Sequence, residues 1–252
     1  MLQIQDYRQE RPRPILAVTL ARNAQEVEEA QRLRYRVFAE ELGAAVPGAV
    51  HGIDCDLYDR HCDHLLVRDG ATREVVGTYR ILTGTRAQQA GGFYSDDEFD
   101  LTRLHHLRPA MAEIGRSCVH PDYRSGAAIV LLWAGIAQYL QDHGCRYLIG
   151  CASVGLADGG HGAASLYNRL QQTSLSPVEY RVFPRSELPL ERLDATRDVT
   201  VPPLIKGYLR VGAWICGAPA WDADFNTADL LMLMPLARVN GRYARHFLKT
   251  AH

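Results

Sequence analysis

Apolar residues recur along this chain at two spacings, and the changes from one to the other mark out an ordered series of elements. Ile15–Leu20 predicts a short strand. Val27, Ala30, Leu33, Val37 and Phe38 then fall three and four apart, which predicts a helix over Gln25–Leu42. A polar loop rich in aspartate follows at Gly52–Asp63. His64–Arg68 and Val75–Leu82 are apolar or alternating and bracket the turn segment Asp69–Glu74, so they predict a hairpin. Ala90–Pro109 reads as irregular with one short helix. Ala112–Val119 predicts a strand, His120–Arg124 a turn, and Ala127–His143 a buried helix closed by Gly144. Tyr147–Val154 predicts a strand and His161–Gln171 a helix. Pro184–Pro203 reads as a loop broken by Pro189, Pro202 and Pro203. Tyr208–Ile215 and Leu230–Met234 predict late strands, and Arg238–Lys249 a basic terminal helix. No repeat, low-complexity tract or linker interrupts the order. The expectation is one α/β domain over residues 1–252, with a central, mostly antiparallel mixed sheet flanked by helices.

Composition narrows the classes. At 252 residues and 47% hydrophobic, the chain can bury one substantial core. Its net charge of −1 gives no basic field for nucleic acid, so an acidic partner would need a local basic patch. The six cysteines show no paired spacing and the N-terminal stretch Asp6–Pro14 is polar, which leads us to expect reduced thiols in a cytoplasmic protein. The longest apolar run, Ile129–Leu140, falls short of the roughly 20 residues that a membrane span needs.

Certain segments carry chemistry. Val119–Ile129, VHPDYRSGAAI, resembles the acyl-CoA-binding segment of the GNAT superfamily, where a glycine-rich turn opening a helix holds a pyrophosphate. Here Gly126 is the only glycine after Arg124, and Ile129 stands at a small-residue position, which disfavours coenzyme A as donor. Arg34, Phe38, Asp56, Asp59, Arg80 and the run Glu113–Val119 resemble in order and spacing the acyl-homoserine-lactone synthases, GNAT-like enzymes that use acyl carrier protein. The tryptophan those synthases carry after the phenylalanine is absent, with Ala44 and Ala45 in that region. Cys62–Asp69, Val75–Leu82, Phe93–Leu101, Val201–Ala213 and Asp222–Leu231 resemble most closely the ornithine N-alpha-acyltransferases of ornithine-lipid synthesis and the related N-acyl-amino-acid synthases. That likeness runs from Arg34 to Phe247.

The resemblance implies transfer of a long, in some members 3-hydroxylated, acyl chain from acyl carrier protein to the α-amine of ornithine. Phosphopantetheine would arrive on the carrier, with no other cofactor. Another amino-acid acceptor, a homoserine-lactone product, a coenzyme A donor and a non-catalytic carrier-binding module remain alternatives. An amine attacking a thioester must lose a proton while the carbonyl oxygen and the thiolate are stabilised. Glu113, in a strand among apolar residues, is the expected base, its pKa raised by burial. Arg116 is expected beside it. By resemblance to GNAT enzymes, an amide near Cys118 or Val119 would bind the oxyanion, and Tyr167 would protonate the thiolate.

Arg124 fits a phosphate. Arg80 and Arg116 could hold phosphopantetheine or form an ion-pair network with Asp56 and Asp59, which would also shape the acceptor side. Lys206 and Arg210, two residues either side of Tyr208, would share a strand face and bind the acceptor carboxylate. Asp222, Asp224 and Asp229 could meet a distal ammonium, with Asn226 adding a neutral hydrogen bond. Cys118 raises an acyl-cysteine route that lacks recognisable His–Asp partners. His61, Cys62, Asp63 and His64 point alternately and cannot converge on a metal, so none is expected. Arg238, Arg242, Arg245 and Lys249 would form a basic stripe for the carrier or for the inner face of the membrane.

Overall fold

A computed structural model describes residues 15–46, 49 and 51–239. Strands β1 (Leu16–Leu20), β2 (Asp63–Asp69), β3 (Val75–Thr83), β5 (Met111–Val119), β6 (Tyr147–Gly155), β8 (Trp214–Ile215), β9 (Ala220–Asp222) and β10 (Thr227–Pro235) form one eight-stranded sheet. Its order is β1-β2-β3-β5-β6-β10-β8, with β9 also on β10. The β5–β6 pairing is parallel and the others are antiparallel. Two short strands, β4 (Phe99–Asp100) and β7 (Phe183–Pro184), pair separately. The expected α/β sheet with flanking helices is therefore present.

The period-2 pattern of the strands divides their side chains between two layers. Leu65, Val67, Leu148, Leu230 and Met232 face α4 (Ala127–Asp142), α5 (His161–Thr173) and α6 (Pro203–Val211) in the main core. On the other face, Leu66 and Val75 pack under α1 (Ala24–Tyr35). Ile149, Leu231 and Leu233 pack under Phe93, Phe99, Leu104 and Leu107 of the segment joining β3 to β5. That segment, expected to hold one short helix, contains α2 (Gly84–Ala90), α3 (Ser95–Glu98), β4 and a 3₁₀ stretch at Thr102–Ala110. Its many short pieces show no sustained period because burial of a few large side chains, rather than helix or strand repetition, fixes it.

Two expected elements differ. The helix over Gln25–Leu42 is α-helical only to Tyr35, and Arg36–Glu41 forms wider π turns. There the Leu42 amide reaches the Val37 carbonyl at 3.1 Å. The expected strand from Tyr208 is instead helix α6. Pro203 occupies its first turn, where a missing N–H costs nothing, and Ile205, Tyr208 and Val211 are buried at the three-residue spacing of one helix face. The basic helix expected to Lys249 lies outside the described residues beyond Val239. Among the described residues no helix is long and apolar enough to cross a membrane.

Candidate active site

β5 and β6 pair at Met111↔Tyr147, Ala112↔Leu148 and Glu113↔Ile149 and then part. Gly150 permits the last close approach, since a Cβ there would stand 2.5 Å from the Ile114 carbonyl oxygen. On its other edge β5 bulges. Thr78 pairs with Cys118 and Arg80 with Gly115, so Arg116 and Ser117 together stand opposite Tyr79, one residue more than on β3. Arg116 takes φ +49°. The fork between the strands holds a cavity of about 210 Å³ lined by Glu113, Arg116, Ser117, Cys151, Ser153 and Asp229, among others.

Glu113 is 5% exposed. Its carboxylate accepts from the Tyr94 amide at 2.7 Å, the Ser95 amide at 2.9 Å and the Ser95 hydroxyl in a very short contact. Burial pushes its pKa up, and these donors offset part of that rise. The alternative pairing with Arg116 is not made. Arg116 instead approaches Asp54 at 3.6 Å and Asp56 at 3.3 Å, and its guanidinium lies 4.5 Å from the Phe225 ring centroid.

The arginines and aspartates form the ion-pair network. Arg34, fully buried, binds Asp54 at 2.8 Å and Asp59 at 2.6 Å. Arg80 binds Asp56 at 2.6 Å and Asp59 at 3.5 Å. Arg34 holds the Asp59 carboxyl well below the usual range despite its burial. Asp59 is thus spent on arginines and lies outside the cavity lining, and Asp56 is tied to Arg80 and Arg116. Arg80 lines the cavity, away from the groove assigned to the donor. Removing one member of such a buried set costs about 3–5 kcal/mol, because the partner charge is stranded.

Two openings meet the cavity. The first is an apolar groove of about 660 Å³ that shares Phe38, Ser117 and Leu204 with it. Cys118, Val119, Arg124, Ile129, Trp133 and Arg210 line the groove. Gly126, at φ +102°, caps the N-terminus of α4 in a backbone conformation that favours glycine. Arg124 binds Glu41 through both nitrogens at 2.5 and 2.7 Å. That exposed pair is worth about 1 kcal/mol or less, so a phosphate can displace the carboxylate. The second opening, about 720 Å³, shares Tyr94, Arg116, Asp222 and Phe225 with the cavity. Asp56, Asp97, Glu98, Asp222 and Asp224 give it an acidic rim, with Arg185 and Arg116 the cations present.

Several expected positions are not in the cavity. Lys206 and Arg210 are exposed on α6, and Arg210 faces the apolar groove rather than the acceptor side. A strand's period would put both on one face, but the segment is helical. Tyr167, on α5, packs against the main core and lines none of the three spaces. The cavity's tyrosine hydroxyls belong to Tyr79 and Tyr208, 2.9 Å apart, and to Tyr94. Asp222 lines the cavity while its carboxylate caps the Asp224 and Phe225 amides. Asp224 is on the rim, and Asn226 is an exposed turn residue at φ +51° outside the cavity. Cys118 is buried, and burial pushes its thiol up to about 12, which disfavours the thiolate that an acyl-enzyme needs. His64 contacts the Asp59 carbonyl, whereas Asp63 binds Arg86 and Tyr139, so that run diverges.

One cluster was not anticipated. Glu98, Cys151 and Asp229 bring potential ligand atoms within 4.8 Å of one another. Asp229 is 3% exposed, and its Oδ1 accepts from Thr227 at 2.8 Å. Burial and the neighbouring Asp229 carboxyl push Glu98 up to about 9, and burial is the main cause that raises Asp229 to about 6. The sequence offered Glu98 only inside a run of four acids, Asp96 to Asp100, broken by Phe99, and nothing local marks the one that turns inward.

Residues 33–134 match the acetyltransferase (GNAT) domain. The chain is 38% identical over 248 residues to an L-ornithine N(alpha)-acyltransferase of Brucella abortus, covering 92% of this chain and 88% of that one. It is 38% identical over 250 residues to a protein of the same name from Agrobacterium fabrum, covering 92% and 85%. Among solved structures, FeeM, an N-acyl amino acid synthase from uncultured soil microbes, superposes with a TM-score of 0.56 at 13% identity over 89% of this chain and 92% of its own. The acyl-homoserine-lactone synthase LasI superposes with a TM-score of 0.52 at 13% identity over 90% and 96%. These superpositions speak to the shared fold, and the sequence identity goes further. The chain belongs to the L-ornithine N(alpha)-acyltransferase family, acyltransferases built on the GNAT fold.

Proposed function

We propose that this protein transfers a long acyl group from the phosphopantetheine thiol of acyl carrier protein to the α-amine of ornithine, giving a lyso-ornithine lipid. The observation that carries this reading is the cavity that Glu113 lines, with two unlike openings: an apolar groove with basic residues on one side and an acidic mouth on the other. An acyl-phosphopantetheine suits the groove, where Arg124 and Arg210 stand beside apolar walls and can face an acidic carrier. A dicationic amino acid suits the mouth.

In the reaction a C–N bond forms and the C–S bond breaks. Glu113 takes the amine proton, directly or through a water. Arg116, which lines both the cavity and the acidic mouth, faces the acceptor carboxylate. The β5 backbone past Ile114, no longer paired to β6, supplies the oxyanion amide. Tyr79 and Tyr208 replace Tyr167 beside the leaving thiolate. Both phenols are raised above their ordinary range by burial, so they stabilise the thiolate by hydrogen bonding. The proton that Glu113 removed then neutralises it. No further cofactor enters these steps. The amphiphilic product fits a cytoplasmic enzyme that meets the inner face of the membrane peripherally.

Mass spectrometry of the purified protein with acyl carrier protein thioester and ornithine tests this. The expected product is ornithine acylated on its α-nitrogen. An acyl-homoserine lactone, or acylation of neutral amino acids with ornithine left untouched, would overturn it.

A further inference from the structure

Resting on ornithine as the acceptor, we infer that Glu98 and Asp229, with the Cys151 thiol beside them, form the subsite for the acceptor's distal ammonium. The network around Asp54, Asp56 and Asp59 pairs each of those carboxylates with arginine. Glu98 and Asp229 are different: among the described residues neither makes an ion pair, and both Glu98 oxygens are buried without a hydrogen-bond partner of full geometry. Asp229 is nine-tenths buried and more, and it lines the cavity itself. Glu98 lines the acidic mouth that leads there. Two buried carboxyls side by side without a cation are costly, and a cation from outside is what would relieve them.

The spacing fits ornithine. The Ser95 hydroxyl that binds Glu113 is 3.4 Å from the Cys151 thiol, and that thiol is within 4.8 Å of the two carboxyls. A chain of three methylenes places two amines about 6 Å apart when extended, judged from ordinary bond lengths. An acceptor with its α-amine at Glu113 therefore carries its second amine to Glu98 and Asp229. The groups that face this pair are Tyr94 just ahead of α3, Cys151 and Ser153 on β6, Asp222 on β9 and Thr227 on β10. None is a cation, and the two arginines of the mouth are engaged elsewhere, Arg116 with Asp56 at 3.3 Å and Arg185 with the Asp96 carbonyl at 2.7 Å, so the empty pair retains a proton that the entering ammonium replaces. A neutral side chain leaves the carboxyls unrelieved, which builds discrimination against it.

The test compares kcat/KM for ornithine and for 2-aminopentanoate, which has the same carbon chain without the second amine, in the wild type, Glu98→Gln and Asp229→Asn. The wild type should prefer ornithine by at least about 100-fold, and each variant should shrink that preference at least tenfold, mostly through a higher KM for ornithine. Ornithine should also raise the melting temperature of the wild type more than that of either variant, a readout that requires only folded protein. An unchanged preference in folded variants overturns the subsite while the ornithine reading stands. Equal loss toward both acceptors also overturns it, by placing the pair in the chemistry. So does a stoichiometric metal ion in the purified protein whose removal abolishes activity toward both acceptors. A wild type that acylates no ornithine overturns the functional reading itself, and the subsite with it.

Discussion

Glu113 is held by three donors, and this decides what its substitution does. In Glu113→Gln the amide NH₂ must face either the Tyr94 amide or the two Ser95 donors, so one donor–donor contact is forced. A buried donor left unmatched costs about 1–3 kcal/mol, and about 1 kcal/mol lowers the melting temperature of a chain this size by about 2–4 °C. The variant should still fold, by circular dichroism, and lose about 10²–10⁴-fold in single-turnover rate at saturating donor. A loss below about fivefold would remove Glu113 as the base. Glu98 gives a prediction in pH. Its folded pKa of about 9 lies above the ordinary carboxyl value of about 4.3, so the folded state binds the proton more tightly. Below pH 4 both states hold it and nothing is gained or lost. As pH rises toward 9 the unfolded chain releases the proton first, and stability falls. Glu98→Gln removes that slope. Without ornithine, its melting temperature should exceed the wild type's by a margin that is widest near pH 8–9 and small near pH 5. A margin independent of pH would contradict the raised pKa.

At the scale of elements, the site exists because β5 pairs with β6 for three residues and then departs. Gly150 sets where the pairing ends. Gly150→Val would drive a side chain into the Ile114 carbonyl, 2.5 Å from the new Cβ, and push the two strands apart next to Glu113. Overpacking of this kind costs about 1–3 kcal/mol or more. We expect a lower melting temperature together with at least a tenfold loss of kcat, and near-wild-type values for both would show that the fork tolerates opening. Much of this scale was legible in the sequence. The hairpin of β2 and β3, strand β5, helix α4 and strand β6 all carry sustained periods and clean stops. Helix α6 is hidden in the sequence because Lys206, Tyr208 and Arg210 suggest period 2, while the proline start and the buried spacing of Ile205, Tyr208 and Val211 belong to a helix. The π turns at Arg36–Glu41 leave no pattern, since they alter hydrogen-bond partners without breaking the apolar stripe.

At the scale of the molecule, the two openings have opposite character, and the proposed donor rests on the first. Coenzyme A would ask the turn before α4 to cradle a pyrophosphate, where Ile129 lines the groove and Gly126 is the one glycine between Arg124 and Ile129. A carrier-borne phosphopantetheine presents one phosphodiester, which Arg124 alone can meet in place of Glu41. The acyl carrier protein thioester should exceed the matching coenzyme A thioester at least tenfold in kcat/KM, measured at fixed ornithine and chain length. Equal efficiency would overturn the donor assignment.

What the sequence determined by itself is what is local or repetitive: the order of strands and helices, the buried helix after the glycine turn, Glu113 in an apolar strand, and a motif order that points to the acyltransferase family. Arginines and aspartates could be foreseen as a network because several of each flank strands that pair. Tertiary structure alone decided which of the acids are neutralised and which are not. Arg34, Arg80 and Arg116 reach Asp54, Asp56 and Asp59 across up to about sixty residues, leaving Glu98 and Asp229 unpaired though they are 131 residues apart. The free energy of a buried charge depends on what surrounds it in space, and no spacing along the chain records that.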